Sequence, residues 1–224
     1  MKRTIVFGGW AVPPDALRDV FWGGSEYVDI NRMMPKLFDR SLKLRDDWAD
    51  IVVRERRLTP GDAYYVIGGW STGAILAYAA ALACPPKKLI LLAATPCFCK
   101  KRNFRFGMRP AAINQMISAL EQDKHTVLQS FYEWSELQYD PAAIPDYSVE
   151  ELVCGLEFLK QADLRPLTPP PTVRPLFLHG TGDRVIPVSA SKYFSDQVGG
   201  EHIELKGGHA FFAGQRMPPD GVEF

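Results

Sequence analysis

Tyr64-Tyr65-Val66-Ile67-Gly68-Gly69-Trp70-Ser71-Thr72-Gly73-Ala74-Ile75-Leu76-Ala77-Tyr78-Ala79-Ala80-Ala81 is the stretch on which the reading of this 224-residue chain turns. A short apolar run rich in β-formers passes through G-x-S-x-G into an alanine-rich segment. The spacing predicts a strand over 64–67, a sharp turn with Ser71 at its apex, and a helix reaching about residue 83. On so tight a turn, side chains two positions either side of the serine would strike neighbouring backbone, and glycine at 69 and 73 removes that collision. The alanines let the helix pack close to a sheet. Its N-terminus directs free N–H groups and a partial positive charge toward the serine.

Outward from this centre, strands and helices alternate. Residues 4–7 read as a strand that breaks at Gly8-Gly9, and Pro13-Pro14-Asp15 offers a helix start with Leu17, Val20 and Phe21 on one face. Residues 27–30 form a second strand, and 41–57 a helix with Leu42, Leu44, Trp48, Ile51 and Val52 among charged neighbours. Residues 89–92 are almost wholly apolar, as a strand covered on both faces should be. From 96 to 163 the period is helical, around 113–120, 127–137 and 150–159, and a proline-rich segment over 166–175 closes this region. Strand character returns at 176–179 and 202–205, with a helix near 189–197 between them. The expected fold is α/β: a mainly parallel sheet flanked by helices, with a helical lid inserted after the fourth strand. The core is then 1–96 and 166–224, and the lid 97–165.

A serine nucleophile needs a base, and the base needs an orienting carboxylate. In a strand-turn-helix setting of this kind the chain order should be Ser, then Asp or Glu, then His. There are four histidines. His125 falls in the insertion, His179 at a strand end, and His202 at the start of the last strand. His209 follows that strand in Gly207-Gly208-His209-Ala210-Phe211, at the sheet edge where open α/β folds bind ligands. His209 is therefore the candidate base. Asp183, in the loop directly after the preceding strand, is the candidate orienting residue. Two backbone donors are expected to hold the oxyanion, the N–H of Thr72 and that of Trp10 in the loop after the first strand. Such chemistry requires no metal and no organic cofactor.

Composition narrows the alternatives. Lys plus Arg and Asp plus Glu number 26 each, so no global field draws the chain to nucleic acid or membrane. No apolar run is long enough to span a bilayer, and the N-terminal run Met1 to Gly9 lacks the long apolar stretch of a signal peptide. Cys84, Cys97, Cys99 and Cys154 show neither a disulfide framework nor a zinc-site spacing. A cytosolic monomer is expected.

The insertion opens with Lys100, Lys101, Arg102, Arg105 and Arg109 interleaved with Phe98, Phe104 and Phe106. That run is either a basic rim suited to an acidic partner or a solvated loop. Phe131, Tyr132 and Trp134 either line an acyl pocket or form the packed face of a lid helix.

Taken together, Gly9-Trp10, Gly69-Trp70-Ser71-Thr72-Gly73, Ala94-Thr95-Pro96-Cys97-Phe98, the segment Gly155-Leu156-Glu157-Phe158-Leu159-Lys160-Gln161-Ala162-Asp163-Leu164-Arg165, the 180–187 loop and Gly208-His209-Ala210-Phe211 carry a resemblance. The chain resembles the BioH-type pimeloyl-[acyl-carrier protein] methyl ester esterases, of the α/β-hydrolase superfamily. The resemblance implies a carboxylesterase acting on the methyl ester of a pimeloyl group borne by acyl-carrier protein, with Ser71, Asp183 and His209 as triad and backbone donors at Trp10 and Thr72. The competing readings are a general small-molecule carboxylesterase or thioesterase and a non-enzymatic pseudo-hydrolase that binds an acyl ligand. It also implies that aromatic residues of the lid, about Phe131-Tyr132-Glu133-Trp134, hold the acyl chain. Two departures stand out: such esterases usually carry an extra N-terminal β-hairpin and a His-Gly pair where this chain has Gly8-Gly9. A trimmed sheet and an altered oxyanion loop are the corresponding expectations.

Overall fold

The computed structural model describes residues 3–21, 24–59, 64–170, 172–213 and 217–218, with Tyr64 and Tyr65 as backbone only. Met1 and Lys2 of the N-terminal run and Pro171 of the proline-rich segment lie outside the described residues. Six strands, β1 (Arg3–Phe7), β2 (Glu26–Val28), β3 (Tyr64–Trp70), β4 (Lys88–Leu92), β5 (Pro175–Gly180) and β6 (Glu201–Leu205), make one sheet in the order β2-β1-β3-β4-β5-β6. Every neighbouring pair is parallel. Among the described residues, six α-helices accompany them: α1 (Trp48–Glu55), α2 (Thr72–Ala83), α3 (Pro110–Gln122), α4 (Lys124–Ser135), α5 (Val149–Gln161) and α6 (Val188–Val198).

Alternate strand residues sort into separate buried clusters, as a strand's two-residue period requires. Ile5, Phe7, Ile67, Leu89, Leu91 and Phe177 pack with residues of α1, α2, α5 and α6. Val6, Val66, Ile90, Leu92 and Leu178 pack on the other side with Leu17, Phe21, Tyr132 and Phe211. One face is thus covered mainly by helices and the other largely by loop segments. The chain leaves β1 toward β2 and leaves β3 in the opposite direction toward β4, which opens a crevice beyond the C-terminal ends of β1 and β3. The Trp10 loop and Ser71 follow those two strands.

Of the elements that differ from the sequence expectation, three do so for a clear local reason. The helix expected over 41–57 shortens to α1. Asp39 Oδ1 accepts the N–H groups of Ser41 and Lys43 at 2.8 and 3.1 Å, and Leu42 adopts φ +57°, so the side chain supplies the bonds a helix would have made. The helix predicted from Pro13 is one 3-10 turn, Pro14–Leu17. Leu17, Val20 and Phe21 are nevertheless all buried. Third, β3 runs on through Gly68-Gly69 to Trp70. A Cβ on Gly68 would lie 2.5 Å from the Phe21 ring, so this glycine serves a close approach within a strand and not a break.

Candidate active site

Ser71 sits between β3 and α2 with φ +56° and ψ −119°, a conformation that L-residues rarely adopt. Its N–H donates to Leu92 O at the end of β4 (2.9 Å), and its carbonyl accepts from Ala74 N–H (3.0 Å). The flanking glycines are required, though not for one shared reason. A Cβ on Gly69 would meet the Gly73 carbonyl at 2.3 Å, while one on Gly73 would meet the carbonyls of Phe7 and Gly8 at 2.2 Å. Gly73 therefore lets α2 abut the end of β1, which brings the Ser71 turn against the Trp10 loop.

The three residues separated in sequence meet here. His209 Nε2 lies 2.9 Å from Ser71 Oγ, and His209 Nδ1 lies 2.8 Å from Asp183 Oδ2. A carboxylate accepts only, so Nδ1 carries the hydrogen and Nε2 is the acceptor for the serine hydroxyl. Both Asp183 and His209 side chains are fully shielded from solvent. Burial opposes ionisation of Asp183. The charge that His209 carries once protonated, together with hydrogen bonding to His179 and His209, outweighs it and holds this carboxyl well below the usual carboxylate range. Asp183 Oδ1 also accepts Val185 and Ile186 N–H at 2.8 and 2.9 Å. An arrangement of this kind can draw the proton from a serine hydroxyl as the oxygen attacks an acyl carbon.

Trp10 and Thr72 border the same cavity as Ser71. Thr72 is the first residue of α2, so its N–H has no acceptor within the helix. The Trp10 indole donates to Leu152 O at 2.9 Å and packs on α5, where a Cβ at Gly155 would come within 2.3 Å of the ring. Asn31, fully buried, braces this loop by accepting Ala11 N–H at 2.8 Å and reaching Gly9 O at 3.5 Å. Sequence reasoning missed Asn31, because nothing in Val28-Asp29-Ile30-Asn31 marks an asparagine that will fold back on the first loop. It also left His179 without a role. His179 Nε2 approaches Asp183 Oδ2 at 3.1 Å and Ile186 O at 2.8 Å, and no local pattern at a strand end signals that approach.

A cavity of about 450 Å³ opens on Ser71, walled by Phe98, Met108, Met116, Val127, Phe131 and Leu156 among others. Among the described residues that line it, none is charged. Trp134 also lines it and is 53% exposed. Tyr132 is a correction to the aromatic trio: it is buried on the far side, its hydroxyl donating to Ala11 O at 3.1 Å, because the neighbouring positions 131 and 132 lie about 100° apart on a helix. In the basic run, Lys100, Arg102, Arg105 and Arg109 are exposed. Lys101 is another correction, since its Nζ donates to Gln161 O at 2.9 Å and lies 3.9 Å from Asp163. The four cysteines are buried and unbridged. Burial pushes the Cys97 thiol up to about 12 and Cys154 up to about 11, which leaves neither a reactive thiolate. Among the described residues no helix is long and apolar enough to cross a membrane.

The pimeloyl-[acyl-carrier protein] methyl ester esterase of Xylella fastidiosa (strain M23) is 29% identical over 165 residues, 64% of this chain and 63% of that protein. The chain thus spans under two thirds of the length of the curated relatives it matches. An esterase from Exiguobacterium antarcticum superposes with TM-score 0.70 at 20% identity, over 95% of this chain and 86% of that one. BioG from Haemophilus influenzae gives 0.56 at 16%, over 95% and 91%. At such identities these two establish the fold alone. The profile of the alpha/beta hydrolase family matches residues 10–222, nearly the whole length. The chain belongs to the alpha/beta hydrolase family.

Proposed function

We propose that this protein is a serine carboxylesterase whose substrate is the methyl ester of a pimeloyl group on acyl-carrier protein. The observation that carries the reading is the hydrogen-bonded chain from Ser71 Oγ through His209 to Asp183, set on a positive-φ turn. Ser71 Oγ bonds to the ester carbonyl carbon while His209 Nε2 takes its proton. The N–H groups of Thr72 and Trp10 hold the resulting oxyanion. As the tetrahedral adduct collapses, His209 returns the proton to the alkoxy oxygen and methanol leaves. Water then attacks the acyl-serine, giving a proton to His209 that passes to Ser71 Oγ as the acid departs. Asp183 keeps the imidazole in the tautomer both steps need.

Three features support the narrower substrate: the names of the relatives, an uncharged cavity that suits an acyl chain, and exposed cations at Lys100, Arg102, Arg105 and Arg109 for an acidic carrier. The inserted segment 97–165, whose helices α3, α4 and α5 supply much of the cavity wall, acts as the lid.

The test pairs wild type with Ser71→Ala on p-nitrophenyl esters, on the pimeloyl-carrier methyl ester and on a fluorophosphonate probe. Wild type is expected to turn over both substrates and to become labelled. The variant should keep the fold and lose turnover by a factor on the order of 10⁶, together with all labelling. Retained activity in the variant would sink the serine assignment. Turnover of free short esters with none of the carrier-bound ester would sink the substrate alone.

A further inference from the structure

The end of α4 grips the loop that carries His209. Gly208 N–H donates to the Glu136 carboxylate at 3.0 Å, and Ala210 N–H donates to Ser135 O at 3.0 Å, so the residues on both sides of His209 are tied to one helix terminus. A Cβ on Gly208 would lie 2.4 to 2.6 Å from that carboxylate, which means glycine is what admits Glu136 to the loop. Glu136 itself holds the left-handed region, φ +59° and ψ 34°, and its own N–H closes α4 on the Glu133 and Tyr132 carbonyls. Arg184 Nη2, next to Asp183, donates to Glu133 O of the same terminus at 3.3 Å. The other end of this brace is the cavity. Val127, Ser130, Phe131 and Trp134, spaced along one face of α4, line it.

We infer that Glu136 is a positioning residue for His209, and that α4 links the wall against which the acyl chain lies to the loop that holds the base. The inference rests on the serine-esterase reading above. Glu136 touches neither substrate nor the reacting atoms. It acts by accepting the Gly208 N–H and so fixing where the next residue's imidazole lies relative to Ser71 Oγ.

The test compares Glu136→Ala with Glu136→Gln, whose amide oxygen still accepts the Gly208 N–H. With p-nitrophenyl acetate, kcat of the alanine variant should fall about tenfold or more, the scale of a small displacement of a catalytic group. Its KM should stay within about twofold of wild type. Fluorophosphonate labelling should slow in parallel, and the glutamine variant should recover most of both rates. Gly208→Ala should lower kcat in the wild-type background and cost little more once Glu136 is alanine, because its collision partner is gone. Circular dichroism checks the fold, and Glu136→Asp, one methylene short of the loop, takes the place of alanine if that variant unfolds. Alanine and wild type reacting at equal rates, or glutamine as impaired as alanine, would overturn the inference. Wild type that resists the probe would bring down the serine-esterase reading and this inference with it.

Discussion

Asp183 gathers three hydrogen-bond donors, the N–H groups of Val185 and Ile186 on one oxygen and His209 on the other, and His179 Nε2 lies 3.1 Å from that second oxygen. Such saturation keeps it ionised and still. Asp183→Asn should lower kcat by about 10³- to 10⁴-fold with KM little changed, because the amide disturbs the tautomer His209 needs. It should also change acid stability. The folded carboxyl lies below its ordinary range, so its stabilising contribution is complete above that range and is lost as pH falls through it. Melting temperature should therefore decline from about pH 5 downward more steeply in wild type than in Asp183→Asn. Equal slopes would count against the saturated-carboxylate account. Ser71, Asp183 and His209 were legible individually because each follows a recognisable strand in a glycine-marked loop. His179 was not, since a histidine at a strand end looks the same whether or not an aspartate folds back on it.

Helix α5 shows how an element can be read correctly and its purpose missed. The capping box of Ser148 and Glu151 starts it, and Leu152, Leu156 and Leu159 bury one side. Gly155 would ordinarily weaken a helix interior. Here it provides the hollow into which the Trp10 ring fits. Gly155→Ala gains helix propensity yet places a methyl group in that ring. The expected outcome is a net destabilisation of about 1–3 kcal/mol by denaturant titration, as overpacking commonly costs, with a lower kcat from displacement of the Trp10 loop. A variant as stable and as active as wild type would refute the packing role. The same scale explains the shortened α1. Hydrophobic period over 41–57 was real, but Asp39 competes for the main chain, and Leu44 N–H is taken by Gln161 Oε1 at 2.8 Å from α5.

At the scale of the whole molecule, the sheet's reversal of direction between β1 and β3 sets the Trp10 and Ser71 loops side by side, and helices α3 and α4 complete the cavity above them. An uncharged cavity discriminates by charge, because an unpaired carboxylate within it loses water and finds no partner. Dimethyl pimelate should exceed monomethyl pimelate in kcat/KM by about 10- to 100-fold near neutral pH, the span expected when a polar group goes unpaired. Equal values would mean that the distal end of the chain lies in water or meets a cation.

Order along the chain sufficed for the α/β class, for the Ser71 turn and for the loops bearing Asp183 and His209. Periodicity, glycine spacing and strand ends are local features, and local sterics dictate them. Folding alone decided which side chains become partners across 20 to 140 positions, among them Asn31 with the Trp10 loop, Tyr132 with Ala11 and Glu136 with Gly208. Those contacts arise where parallel strands and crossover helices bring distant segments within 3 Å or so, and no local pattern encodes such a meeting.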